Sequence, residues 1–97
     1  MEDLKAQLQE NLDEAEWEWL KPHIARDVVV VVDPRLDLLD VGEAIASDRV
    51  SSVQHWISEQ LIAKPSVAQI QDWNTDSHKR FAALIVQPYV LVQEKAP

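Results

Sequence analysis

The stretch Leu36 to Lys64, LDLLDVGEAIASDRVSSVQHWISEQLIAK, constrains the fold most, because it reads as two short amphipathic helices across a tight turn, followed by a strand. In the first helix Leu38, Val41, Gly42, Ile45 and Ala46 share one face at 3.6 residues per turn, with Asp37, Asp40, Glu43 and Ser47 outward. In the second, Val50, Val53, Trp56 and Ile57 make the buried face and Ser51, Ser52, His55 and Ser58 the outer one. This is a helix-turn-helix pattern, and that outer face is the one DNA-binding members lay in the major groove.

Upstream, Leu4, Leu8, Leu12, Ala15 and Trp19 repeat at helical spacing among good helix formers and predict one helix over Asp3 to Leu20. Trp17 falls off that stripe, nearer a second one with Leu20 and Ile24, and Pro22 kinks the chain between them. Five valines, Val28 to Val32, suit a strand covered on both faces. Asp33-Pro34 makes a turn, and Asp37 caps the helix that follows. Gly42, the only glycine, costs a helix about 1 kcal/mol relative to Ala and therefore predicts close packing by another helix or by the valine strand.

Downstream, Asp48 is expected to cap a helix running to Gln60, with Leu61 to Ala63 a short strand. Ser66 caps a further helix, Val67 to Trp73, before a polar loop over Asn74 to Lys79. Phe81 to Gln93 reads as one strand bent at Pro88, because two-residue hairpins need positive φ and Pro cannot supply it. Apart from the Ser66 helix, the order is that of a winged helix. The expected fold is α+β and winged helix-turn-helix-like: about four helices and a three-stranded antiparallel sheet, the wing replaced by a helix and loop, in one domain over residues 1–97.

Composition narrows the chemistry. No cysteine is present, which removes disulfides, thiolate zinc sites and a Cys nucleophile. The start lacks the basic region and apolar core of a signal peptide, and no apolar run reaches the roughly 18 residues that span a bilayer; a cytoplasmic protein without membrane contact is the expectation. The net charge of −8 is uneven: Met1 to Asp48 holds thirteen acids and four bases (−9), Arg49 to Pro97 four acids and five bases (+1). An acidic chain repels phosphate.

The stretches VVVVVDPRLDLLDVGEAIASD and VQHWISEQLIAK, Trp73 and the closing VQPYVLVQE resemble a small family of uncharacterised bacterial proteins of unknown function, over nearly the full length. The family has no assigned activity, so the resemblance transfers no catalytic or binding residue.

The residues themselves point away from catalysis. Asp37, Asp40 and Glu43 line an exposed helical face, which cannot separate two carboxyl pKa values as a cleft does. His23, His55 and His78 are too far apart for a metal pair, and Ser52, His55 and Asp48 lack an oxyanion hole. No catalytic, cofactor or metal site is expected. The favoured reading is a non-enzymatic protein-interaction module, binding a protein partner or itself, with Trp17, Arg49, Ser51, Ser52, His55, Trp73 and Tyr89 as its candidate surface. The alternative is a DNA-binding regulator that reads bases with the Arg49 to Gln60 helix, flanked by Lys64, Lys79 and Arg80.

Overall fold

In the computed structural model, which describes residues 4–76 and 79–95, the leucine pattern at the N-terminus does not make one long helix. Helix α1 (Leu4–Glu10) stops at Asn11, strand β1 (Leu12–Glu16) follows, and helix α2 (Trp17–Ala25) begins at once. This corrects the helix expected over Asp3 to Leu20. All of β1 pairs antiparallel with strand β4 (Arg80–Val86), Leu12 opposite Leu84 and Glu16 opposite Arg80. A full ladder outweighs helix propensities that differ by up to about 0.7 kcal/mol per ordinary residue.

The middle of the chain follows its local signals. Strand β2 (Val29–Val32) is formed by the valines. Asp37 caps helix α3 (Leu38–Ala46), its carboxylate accepting from the Leu39 N–H at 2.9 Å. Helix α4 (Val50–Ser58), strand β3 (Ile62–Ala63) and helix α5 (Val67–Thr75) come next. Ser66 and Gln69 close a capping box at the start of α5. The cap expected from Asp48 is absent: Arg49 is the N-cap residue of α4, with no side-chain capping bond.

Strand β5 (Tyr89–Glu94) returns against β4 as a hairpin through Gln87-Pro88, Val86 opposite Tyr89. The single bent strand expected over Phe81 to Gln93 is thus two strands. The Gln87-Pro88 peptide is cis, and a turn with cis-Pro at its third position does not use the positive φ of the commoner hairpin turns.

The five strands form one mixed sheet in the order β1-β4-β5-β2-β3, with β2 parallel to β5 and the other neighbours antiparallel. This overturns the winged-helix expectation, since among the described residues there are five helices rather than four, and five strands in place of three. The helix expected to replace the wing covers a sheet face instead. Side chains alternate along β2, β4 and β5 between two cores. Val32, Leu84, Val86 and Leu91 pack with Leu8 of α1 and with Leu38 and Val41 of α3. Val29, Phe81, Ala83, Val90 and Val92 pack with Trp17 and Leu20 of α2 and with Trp73 of α5. The expectation that the valine strand is covered on both faces holds.

Three helices end alike. After α2, α3 and α4 the chain enters the left-handed region at Asp27 (φ 61°), Asp48 (φ 57°) and Gln60 (φ 60°). In each case the next N–H reaches back one turn: Val28 to the His23 carbonyl, Arg49 to Ala44, Leu61 to Trp56. These are Schellman closures with Asp or Gln where glycine is commonest.

Candidate functional site: an apolar groove beside α4

α4 makes the turn with α3 that the sequence predicts, yet it has no fully buried residue. Val53 and Trp56 are half-buried against the core, while Val50 and Ile57 stay 51% and 55% exposed. This corrects the buried face expected for that helix. Val50, Val53 and Ile57 stand at i, i+3 and i+7, so one apolar stripe is left partly uncovered. It forms one wall of an open groove of about 650 Å³, whose floor and far side include Val30 of β2, Ile62 of β3, Ile45 of α3 and Tyr89 at the start of β5. Tyr89 is 42% exposed there.

The topology orders the two ends of the groove. Just before α3 the Leu36 carbonyl accepts from Gln93 near the end of β5, while Gly42 lies against Leu84 and Val86, so α3 runs toward the hairpin that carries Tyr89. α4 returns from there to Leu61, whose carbonyl accepts from the Asp33 N–H at the end of β2. Lys64 lies at the start of β2, its ammonium 2.5 Å from Asp27. Asp48, Arg49, Lys64 and Tyr89 therefore mark one end, and Ile57 and Gln60 the other. Arg49 also lies 3.5 Å from Glu43.

Of the residues singled out from the sequence, Arg49 and Tyr89 meet in this groove. Ser51 and His55 are exposed and Ser52 is half-buried, none of them in the groove lining. Trp17 and Trp73 are not surface residues. Each is 2% exposed; their rings tilt against each other with centroids 5.5 Å apart, and Trp73 meets Phe81 edge-on. Their indole N–H groups find partners, Trp17 donating to Asn74 Oδ1 at 2.9 Å and Trp73 to Glu94 Oε1 at 2.6 Å, which is how a buried indole keeps its polar edge satisfied. The exposed tryptophan of α2 is Trp19, 40% open, its ring tilted 49° against His23 with centroids 4.5 Å apart. His78 lies outside the described residues. Val50, Ile57, Val30 and Ile62 are the groove residues that sequence reasoning missed; their one signal was an apolar stripe on α4 too long for a three-residue strand to cover.

A second hollow, between β1, Trp19 and Ile85, is rimmed by Asp13, Glu14, Glu16 and Glu18. Three of these acids are paired: Arg80 contacts Glu14 and Glu16, Lys95 contacts Glu14, and Lys21 contacts Glu18. Hydrogen bonds from Arg80 and then Lys95 hold the Glu14 carboxyl below the ordinary glutamate range. Arg35 does the same for Asp33. Among the described residues no cluster of three His, Asp or Glu side chains suits a metal ion. No helix among them is long and apolar enough to cross a membrane.

The molecule is thus an α+β domain with a helix-flanked mixed sheet and one open apolar groove. The family described as protein of unknown function (DUF2288) matches residues 3–94, and the chain belongs to that family. No curated protein matches it. The NMR solution structure of PA1075 from Pseudomonas aeruginosa is similar to it at 32% identity and a TM-score of 0.82, covering 95% of this chain and 84% of that one. The resemblance to a family without assigned activity stands, and this relative is bacterial.

Proposed function

We propose that this chain is a cytoplasmic protein-interaction module, without catalysis of its own, and that its contact surface is the groove beside α4. The observation that carries this reading is the stripe of Val50 and Ile57, which faces Tyr89 and Ile62 across open space. Exposed apolar area grouped around a concave floor is the usual mark of a binding surface, whereas single exposed apolar residues carry no such meaning. The charges near the groove favour protein over a duplex. Arg49 and Lys64 are each engaged by an acid, and Lys79 and Arg80 pair with Glu94 and with Glu14 and Glu16, so among the described residues no stretch of free cations flanks α4 to neutralise several phosphates.

The test is affinity capture with wild type and Ile57→Asp. Ile57 is half open, so its replacement leaves the fold intact, and a captured protein should be lost with it. A partner retained at full yield by Ile57→Asp would sink the reading. Anisotropy with a mixed duplex at 50 mM salt tests the alternative, because even non-specific binding registers at about that ionic strength. No binding is expected.

A further inference from the structure

Resting on that reading of the groove, we propose that its occupant is a second copy of this chain, bound about a two-fold axis with the two α4 helices antiparallel.

The apolar stripe is self-complementary. Val50 and Ile57 lie at opposite ends of α4, equally spaced about the Val53–Gln54 step, so an antiparallel copy sets Ile57 of the partner subunit against Val50 and the reverse. A two-fold contact requires that same patch to match itself. The nine residues of α4 span about 13 Å, so the Val53–Gln54 step falls at the middle of the groove wall.

Charge selects this face. Two chains of net charge −8 repel wherever acids meet. Asp48, Arg49 and Lys64 of the groove lining, taken with the paired acids Glu43 and Asp27, sum to −1, which leaves −7 on the rest of the chain and makes this face the least repelled by a second copy. The acids of β1, Asp13, Glu14 and Glu16, lie at the other edge of the sheet. The antiparallel arrangement also keeps the two Arg49 side chains at opposite ends of the contact, whereas a parallel one would oppose two arginines. Addition of a strand is disfavoured on this side, because the edge strand β3 has two residues and is followed by Lys64 and Pro65.

The absence of cysteine makes the geometry testable with single thiols. Gln54→Cys places its sulfur beside the axis and should oxidise to a covalent dimer, since a disulfide tolerates Cα separations of about 4.4 to 6.8 Å. His55→Cys, on the outer face of the same helix, should stay monomeric. Sedimentation equilibrium should show wild type dimerising as concentration rises and Ile57→Asp weakening the dimer by about tenfold or more, the loss expected when an anchor residue is removed. A wild type that stays monomeric, with Gln54→Cys and His55→Cys cross-linking equally slowly, overturns the second copy; the groove reading then survives if Ile57→Asp still releases a captured protein. A dimer indifferent to Ile57→Asp and cross-linked equally at both positions puts the contact elsewhere and overturns the second copy in the groove; the groove reading falls with it only if Ile57→Asp also keeps every captured protein.

Discussion

A Cβ placed on Gly42 of α3 would lie 2.5 Å from Leu84 Cδ2 of β4, with Val86 Cγ2 at 3.3 Å, so helix and strand touch where the only glycine stands. The expected close packing is present, and the partner is β4, with Leu8 of α1 beside it, rather than the valine strand. Leu84 is fully buried and cannot swing away into solvent. Gly42→Ala gains about 1 kcal/mol of helix propensity and loses about 1–3 kcal/mol to overpacking, so a net loss near 1 kcal/mol is expected. Urea melts check the sign: a more stable Gly42→Ala protein would mean that α3 and β4 are not in contact there.

Trp17 and Trp19 stand about 200° apart round α2, and the side of the helix that meets the sheet is that of Trp17, so Trp17 is buried and Trp19 open. Trp73→Ala removes a buried ring in contact with both Trp17 and Phe81 and should cost about 3–5 kcal/mol. Trp19→Ala should cost about 0.5 kcal/mol or less, as surface changes usually do. The reverse ranking in denaturant melts would restore the continuous helix over Asp3 to Leu20.

What the sequence disclosed was local. Asp37 and Ser66 cap their helices through bonds to residues two and three along, the valines favour extended backbone, and the α3–α4 pair is written in 3.6-residue spacing. Two local readings failed, the Asp48 cap and the turn at Gln87-Pro88; the larger errors lie where distant pairing decides. Leu12 to Glu16 is helical by propensity and becomes a strand because Arg80 to Leu84 offers a ladder, and nothing near Val29 announces that its parallel neighbour is Val90. The α4 stripe was legible as apolar. Its exposure was not, since burial depends on what faces a helix, and β3 supplies only two residues.

Gln60 occupies a position where glycine would fit better. Its φ of 60° costs an L-residue roughly 1–2 kcal/mol, part of which Gly avoids while losing chain entropy. Gln60→Gly should therefore raise stability by about 0.5–1 kcal/mol, and Gln60→Val should lower it by about 1 kcal/mol or more. Melts at low protein concentration keep any association out of the comparison. Equal stability of all three proteins would contradict the left-handed closure of α4.

Glu14 joins β1 to β4 and to the residue after β5, with oxygens 2.7 Å from Arg80 and 3.1 Å from Lys95. The bond from Arg80, followed by that from Lys95, lowers its folded pKa, so on acidification the unfolded chain takes up this proton first. The stability contributed by the depressed pKa is fully present above the ordinary value of 4.5 and is lost as pH falls through the lower folded value. Asp33, held down by Arg35, adds to the same acid-side loss below its ordinary value of 3.8. Lys5 behaves in the opposite sense: raised first by its hydrogen bond to Asp40, its contribution is complete below 10.5 and is lost at higher pH. Glu14→Gln removes the charge at every pH. Its urea midpoint should lie below that of wild type at pH 7, and the gap should close as both proteins are taken well below pH 4.5. A gap of constant size across that range would show that Glu14 contributes through packing alone.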